Sequence, residues 1–218
     1  MKKYDTVIFD LDGTLMDTLE DLANAVNEIL RRNGYPVRTI EEVRRIVGNG
    51  LRQTLTLCLP QGTKEQVADE LLPDFASYYQ EHCQEKTKPY DGIMDVLKTL
   101  HERGFKLAIV SNKRDEAVKT LNKECFQEYV KVAIGENESA GIRKKPAPDT
   151  VYQALQELGS KKEQAVYVGD SEVDRATAEN AGLPCISVEW GFRDREELEK
   201  LKPAWLISRP EELLEILC

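Results

Sequence analysis

The 218-residue chain contains no long apolar run. Its longest are only a few residues, far short of the roughly 20 that a membrane-spanning helix needs. The opening MKKYD carries a basic pair with no apolar stretch of signal-peptide length behind it, so a cytoplasmic location is expected. Basic residues are in deficit: 30 Lys and Arg against 39 Asp and Glu leave a net charge of −9. That excludes wholesale binding along a nucleic-acid backbone, which needs a basic surface. A small anion can still bind where a local metal ion or lysine overrides the global field. No CxxC pair occurs among Cys58, Cys83, Cys125, Cys185 and Cys218. Five scattered thiols suggest neither a zinc site nor a disulfide framework, and reduced, mostly structural cysteines are expected. GxxxxGK[ST] is absent, which removes a P-loop. Gly48-Asn49-Gly50 lacks the third glycine of a dinucleotide fingerprint.

What is present is alternation. A short apolar strand is expected at Thr6–Phe9 and a helix from Thr18 to about Asn33, ended by Asn33-Gly34-Tyr35-Pro36. Helical patterns continue over Ile40–Val47, Leu51–Leu59 and Lys64 to about Glu85, with no convincing strand from Asp17 to Thr87. Beyond Pro89, helices are expected at Gly92–Gly104, Lys113–Asn122, Ala147–Leu158 and Asp174–Ala181. Strands are expected at Phe105–Val110, Val130–Ile134, Gln164–Val168 and Pro184–Val188. The tail holds Arg195–Leu201, a short apolar WLI at 205–207, and a final helix starting near Pro210. Strands alternating with helices predict an α/β fold: a Rossmann-like, three-layer core around a parallel sheet. That core would comprise residues 1–16 and 88–218. Residues 17–87 would form a small helical domain inserted after the first strand.

Parallel sheets bind ligands at the carboxyl ends of their strands. Asp10-Leu11-Asp12-Gly13-Thr14 follows the first strand and Ser111-Asn112-Lys113 the second. Arg143-Lys144-Lys145-Pro146 comes after the third, and Gly169-Asp170-Ser171-Glu172-Val173-Asp174 after the fourth. Taken singly, each is a common turn, cap or solvated charge pair. Their coincidence at one sheet edge describes a site for phosphoryl transfer. Asp10 and Asp170 suit a hard cation such as Mg²⁺. Asp10 could attack phosphorus, and Asp12, two residues on, could carry the proton. Ser111 and Lys145 could hold the transferring oxygens, with Gly13 allowing close backbone approach.

DLDGT, the Ser-Asn pair, the KPAP lysine and GDSEVD together closely resemble the four motifs of the haloacid dehalogenase superfamily, over nearly the whole chain. The resemblance implies that Asp10 is the nucleophile and Asp12 the acid/base, with the Asp12 main-chain carbonyl also on the metal. It further implies Ser111 as the phosphate-binding hydroxyl, Lys145 as the charge-balancing lysine, Asp170 as a metal carboxylate and Asp174 as a supporting acidic position in the metal set. Gly13, Thr14 and Asn112 are placed beside the phosphate, and residues 17–87 become the cap. Asp12 and the pair Asp170/Asp174 argue against the metal-independent dehalogenases. Neither Lys64 nor Lys86 sits in an apolar stretch suited to a Schiff base.

Val47-Gly48-Asn49-Gly50-Leu51-Arg52, Trp190-Gly191-Phe192-Arg193 and Arg195-Glu196-Glu197-Leu198 resemble the phosphoglycolate phosphatase-like subgroup, though pyrophosphatases and sugar phosphatases share them. Hydrolysis of a small phosphorylated metabolite with Mg²⁺, through an aspartyl-phosphate, is therefore expected. A pyrophosphatase, sugar phosphatase, phosphomutase or non-hydrolytic phospho-acceptor module remain alternatives. Arg52 either meets a substrate anion bidentately or lies along a helix surface. Neither a nucleic-acid nor a membrane partner is expected, and oligomeric state is left open.

Overall fold

The computed structural model describes residues 3–218. Met1 and Lys2, which open the MKKYD segment and the expected core domain, lie outside the described residues. The elements in chain order are β1 (Thr6–Phe9), β2 (Met16–Asp17), α1 (Leu19–Arg32), α2 (Ile40–Ile46), α3 (Leu51–Cys58), α4 (Glu65–His82), β3 (Lys88–Pro89), α5 (Ile93–Glu102), β4 (Lys106–Arg114), α6 (Asp115–Leu121), β5 (Val132–Glu136), α7 (Asp149–Leu158), β6 (Ala165–Gly169), α8 (Glu172–Ala181), β7 (Cys185–Val188), α9 (Arg195–Lys200), β8 (Trp205–Ile207) and α10 (Glu212–Leu217). The chain divides into two compact units: the described part of Met1–Met16 with Pro89–Cys218, and Asp17–Lys88.

The first unit is built on a parallel sheet in the order β5-β4-β1-β6-β7-β8. Side chains alternate across a strand, and each strand supplies both faces with apolar groups. Val7, Phe9, Leu107, Ile109, Val166 and Val168 pack with Ile93, Leu97 and Leu100 of α5 and Leu213 of α10. Ile8, Ala108, Val110 and Tyr167 pack on the other face with Val151, Ala154 and Leu155 of α7 and Ala178 of α8. Both faces are dry, so the strands read as continuous apolar runs.

Three details depart from the sequence expectations. The second strand does not end at Val110 but runs to Arg114. Its register slips there: Val110 pairs Ile134 and Arg114 pairs Glu136, so four residues of β4 span two of β5. This bulge carries Ser111, Asn112 and Lys113, and the helix expected from Lys113 starts at Asp115. The apolar 205–207 segment is a sixth strand, pairing Ile186–Val188. Short strands β2 and β3 pair with each other at the two points where the chain passes between units, so Asp17 belongs to a strand.

In the second unit, α1 buries Leu22, Ala23, Val26, Ile29 and Leu30 along one stripe, the spacing of an amphipathic helix. Phe75 and Tyr79 of α4 and Leu55 of α3 are buried with them. Asp21, 2% exposed, accepts main-chain N–H bonds from Lys86 (2.9 Å) and Thr87 (2.8 Å). It thereby joins the beginning of the unit to its end.

Candidate active site

The chain runs from β1 out to β4 and β5, then returns to β6 on the other side of β1. The switch point of the sheet therefore lies between β1 and β6, where ligands of such folds bind. Asp10 leaves β1 there, and Asp170 leaves β6 beside it. Asp10, Asp170 and Asp174 are all buried, each with a carboxylate oxygen within 4.8 Å of the others.

Lys145 ties this cluster together. Only 3% exposed, its Nζ donates to Asp10 Oδ1 (2.6 Å), Asp174 Oδ1 (2.8 Å) and the hydroxyl of Tyr167 (3.2 Å). Its neighbour Lys144 is exposed. Burial alone would push the Lys145 ammonium down, but the Asp10 and Asp174 carboxylates outweigh it and hold it above its ordinary value. Asp10 moves up because burial and the Asp174 charge disfavour its ionised form more than Lys145 favours it. Burial, then the Asp174 charge, raises Asp170 to about 7. One ammonium among three buried carboxylates leaves an excess of negative charge.

The surrounding residues hold these groups in place. Asp174 is saturated: Oδ1 accepts from Lys145 and from Tyr167 (3.0 Å), and Oδ2 from the Ser171 N–H (3.1 Å) and Oγ–H (2.5 Å). A carboxylate offers about four lone-pair positions. Asp170 keeps room on both oxygens, with Thr14 Oγ1 donating to Oδ1 (3.0 Å) and the Phe192 N–H to Oδ2 (2.8 Å). Gly13, at φ +89°, has no Cβ where the Asp170 carboxylate lies. Asn112 grips the main chain of Lys145 from both sides, accepting its N–H (2.8 Å) and donating to its carbonyl (3.2 Å). Gly13, Thr14 and Asn112, expected beside a phosphate, thus support Asp170 and Lys145.

Asp12 lies at the more open side, its side chain 21% exposed and paired with Lys113 Nζ at 3.0 Å. Ser111 Oγ, 3.5 Å from Asp12 Oδ2, accepts the Lys113 N–H at 3.1 Å. Arg52 belongs to the other unit, where Asp69 holds its guanidinium bidentately (2.6 and 3.1 Å).

Several contributors escaped the sequence reading of the site. Tyr167 carried no motif of its own, and Lys113, which follows Ser111-Asn112 after the second strand, was given no role. Segment 190–193 was visible only as a resemblance, yet it braces the site. Trp190 Nε1 donates to the Thr14 carbonyl (3.0 Å), Phe192 N–H holds Asp170, and Arg193 grips Glu172 through two nitrogens (2.8 and 3.0 Å). A side chain at Gly191 would collide with Asp170 Cβ and the Gly13 carbonyl.

Comparison with known proteins gives the family of the chain. Residues 7–188 match the family described as haloacid dehalogenase-like hydrolase. A phosphoglycolate phosphatase of Aquifex aeolicus is 33% identical over 212 residues, covering 97% of this chain and 95% of its own. Pyrophosphatase PpaX of Halalkalibacterium halodurans is 30% identical over 216 residues, covering 98% and 97%. A crystal structure from Lactobacillus delbrueckii subsp. bulgaricus, provisionally assigned as a phosphoglycolate phosphatase, superposes with a TM-score of 0.94. It is 37% identical and covers 100% of this chain and 99% of its own. The chain belongs to the haloacid dehalogenase-like hydrolases.

Proposed function

We propose that this hydrolase is a divalent-metal-dependent phosphatase acting on a small phosphorylated metabolite of the phosphoglycolate type, through a phosphoryl group carried on Asp10. The observation that carries the reading is the buried Asp10–Lys145–Asp174 chain at the sheet switch point, with Asp12 two residues beyond the nucleophile. A pyrophosphatase is the second reading, favoured by the PpaX relative. Residues 17–87 take the role of the cap in this reading.

The donor set fits a hard dication. Asp10 and Asp170 offer carboxylate oxygens with lone pairs to spare, and the cluster holds an excess negative charge that such an ion would offset. They would hold Mg²⁺ together with the Asp12 main-chain carbonyl, while Asp174, filled by protein donors, supports the set by fixing Lys145. When bound, the ion supplies charge stabilisation for the transferring phosphoryl oxygens.

The chain's own residues do the rest. An Asp10 oxygen attacks phosphorus and the bond to the leaving oxygen breaks as Asp12 delivers a proton to it. Asp12, now a carboxylate, takes a proton from water as that water attacks phosphorus, releasing phosphate and restoring Asp10. Lys145 holds Asp10 in register, and the Ser111 hydroxyl donates to a phosphoryl oxygen.

The test is turnover of p-nitrophenyl phosphate with Mg²⁺. Asp10→Asn should lose activity by at least about 10³-fold while keeping its circular dichroism, and EDTA should silence the wild type. Substantial activity in Asp10→Asn, or indifference to EDTA, would contradict the scheme.

A further inference from the structure

A lysine whose side chain is only 9% exposed is uncommon, and Lys113 has no place in the scheme above. It lies in the β4 bulge, two residues beyond Ser111. Its main-chain N–H holds Ser111 Oγ while its ammonium lies 3.0 Å from Asp12 Oδ1. The bulge thus presents a hydroxyl and a cation to the two oxygens of one carboxylate. In the proposed reaction that carboxylate faces the leaving oxygen, so the Lys113 ammonium lies on the leaving-group side. Lys145 serves the other side, on Asp10.

Charge supports a role in binding substrate. With Asp12 protonated, as the acid step requires, Asp10, Asp170 and Asp174 contribute three negative charges against two positive from Lys113 and Lys145. A divalent ion brings this cluster to a single positive charge, which a phosphate dianion more than cancels. An anionic group next to the phosphate would therefore meet no net attraction unless a cation lay close to it. An ammonium has three donors and can bridge two acceptors. Arg52, the alternative cation, is already held bidentately by Asp69.

We infer that Lys113 is a specificity-determining residue: it bridges Asp12 and a second anionic group of the substrate, placed one or two atoms beyond the bridging oxygen. The substrate class is then a phosphoester with an adjacent carboxylate, or a diphosphate, rather than a phosphoester with a neutral leaving group. This rests on the phosphatase reading and deepens it.

The experiment compares wild type, Lys113→Met and Lys113→Arg on phosphoglycolate, pyrophosphate, p-nitrophenyl phosphate and ethyl phosphate, which has the two carbons of phosphoglycolate without its carboxylate. Wild type should favour one or both anionic-leaving-group substrates over ethyl phosphate by about ten- to a hundredfold in kcat/KM, the range for a hydrogen bond to a charged group. Which one it favours distinguishes the carboxylate from the diphosphate. Lys113→Met should collapse that ratio and Lys113→Arg should keep most of it.

A wild type that cleaves p-nitrophenyl phosphate yet treats all leaving groups alike overturns the inference, as does an unchanged ratio in Lys113→Met. A wild type that cleaves nothing overturns the phosphatase reading instead. Calorimetry then still decides the Lys113 assignment. Phosphoglycolate or pyrophosphate should bind Asp10→Asn more tightly than ethyl phosphate does, and lose that advantage in Asp10→Asn/Lys113→Met. Equal binding in both proteins overturns it.

Discussion

Asp170 is ionised at an energetic cost. Raised from an ordinary value near 3.8 to about 7, it binds its proton more tightly folded than unfolded. The stability this contributes is fully present below about 4, where both states hold the proton, shrinks as the unfolded chain ionises, and is gone once pH has climbed through 7. Metal-free wild type should therefore lose thermal stability relative to Asp170→Asn between about pH 4 and 7, by up to about 4 kcal/mol. Mg²⁺ should close the gap by favouring the ionised form. Melting curves of the two proteins, with and without Mg²⁺, check this; a gap that ignores pH would place the excess charge elsewhere. The same scale shows what could be read from sequence. Asp10, Asp12 and Asp170 are chemically loaded residues just after strands, so their convergence follows from topology alone, whereas Lys145 comes after a longer loop beyond β5. Tyr167 looks like core filling, because the hydroxyl that reaches Asp174 and Lys145 is visible only once the loops are placed over β6. Lys113 looked like the first residue of a helix for a similar reason.

Among elements, β1, β6 and β7 could be read because buried parallel strands are short apolar runs. The polar Ser111–Arg114 end of β4 could not, since a bulge takes up two residues before the ladder resumes at Glu136. Bulges of this kind re-aim side chains, and here the extra residues are those that face Asp12. The three residues of β8 were too short to distinguish from a turn without their partner β7. Segment 190–193 connects the loops after β1 and β6, so damage to it should register as lost metal affinity. Gly191→Ala forces a methyl group against Asp170 and the Gly13 carbonyl. It should cost about 1–3 kcal/mol and raise the Mg²⁺ concentration for half-maximal activity at least severalfold. Trp190→Phe loses the bond to the Thr14 carbonyl and part of the indole's packing on the core, without crowding Asp170, and should cost about 1–2 kcal/mol. Mg²⁺ titrations of activity, paired with melting temperatures, separate the two. Equal Mg²⁺ requirements in wild type and Gly191→Ala would reduce the segment to packing.

For the whole molecule, the carboxylate cluster lies within one of the two compact units. Metal binding should therefore stabilise unevenly. At about 100 times its dissociation constant, Mg²⁺ adds about 2.7 kcal/mol to whatever must be folded to bind it. Hydrogen exchange followed by mass spectrometry should show slowed amides in β1, β4 and β6, with little change in α1 to α4. Uniform slowing across both units would mean that they unfold together. In the sequence, about 70 residues of helical spacing interrupt a strand–helix alternation, and in the structure the second compact unit is Asp17–Lys88. The pairing of β2 with β3 was not legible in the sequence, since two-residue strands carry no periodicity.

Asp21 has a consequence for how the chain assembles. Its carboxylate meets the main chain 65 and 66 residues downstream, closing the excursion at its base. Loop entropy rises only with the logarithm of length, about 0.6 kcal/mol per doubling, so the α/β unit experiences this long detour much as it would a short turn. With its base closed, the detour can grow, shrink or exchange its helices while β1 and α5 keep their spacing. Residues 17–88 can therefore vary without refitting the strands that hold the carboxylates.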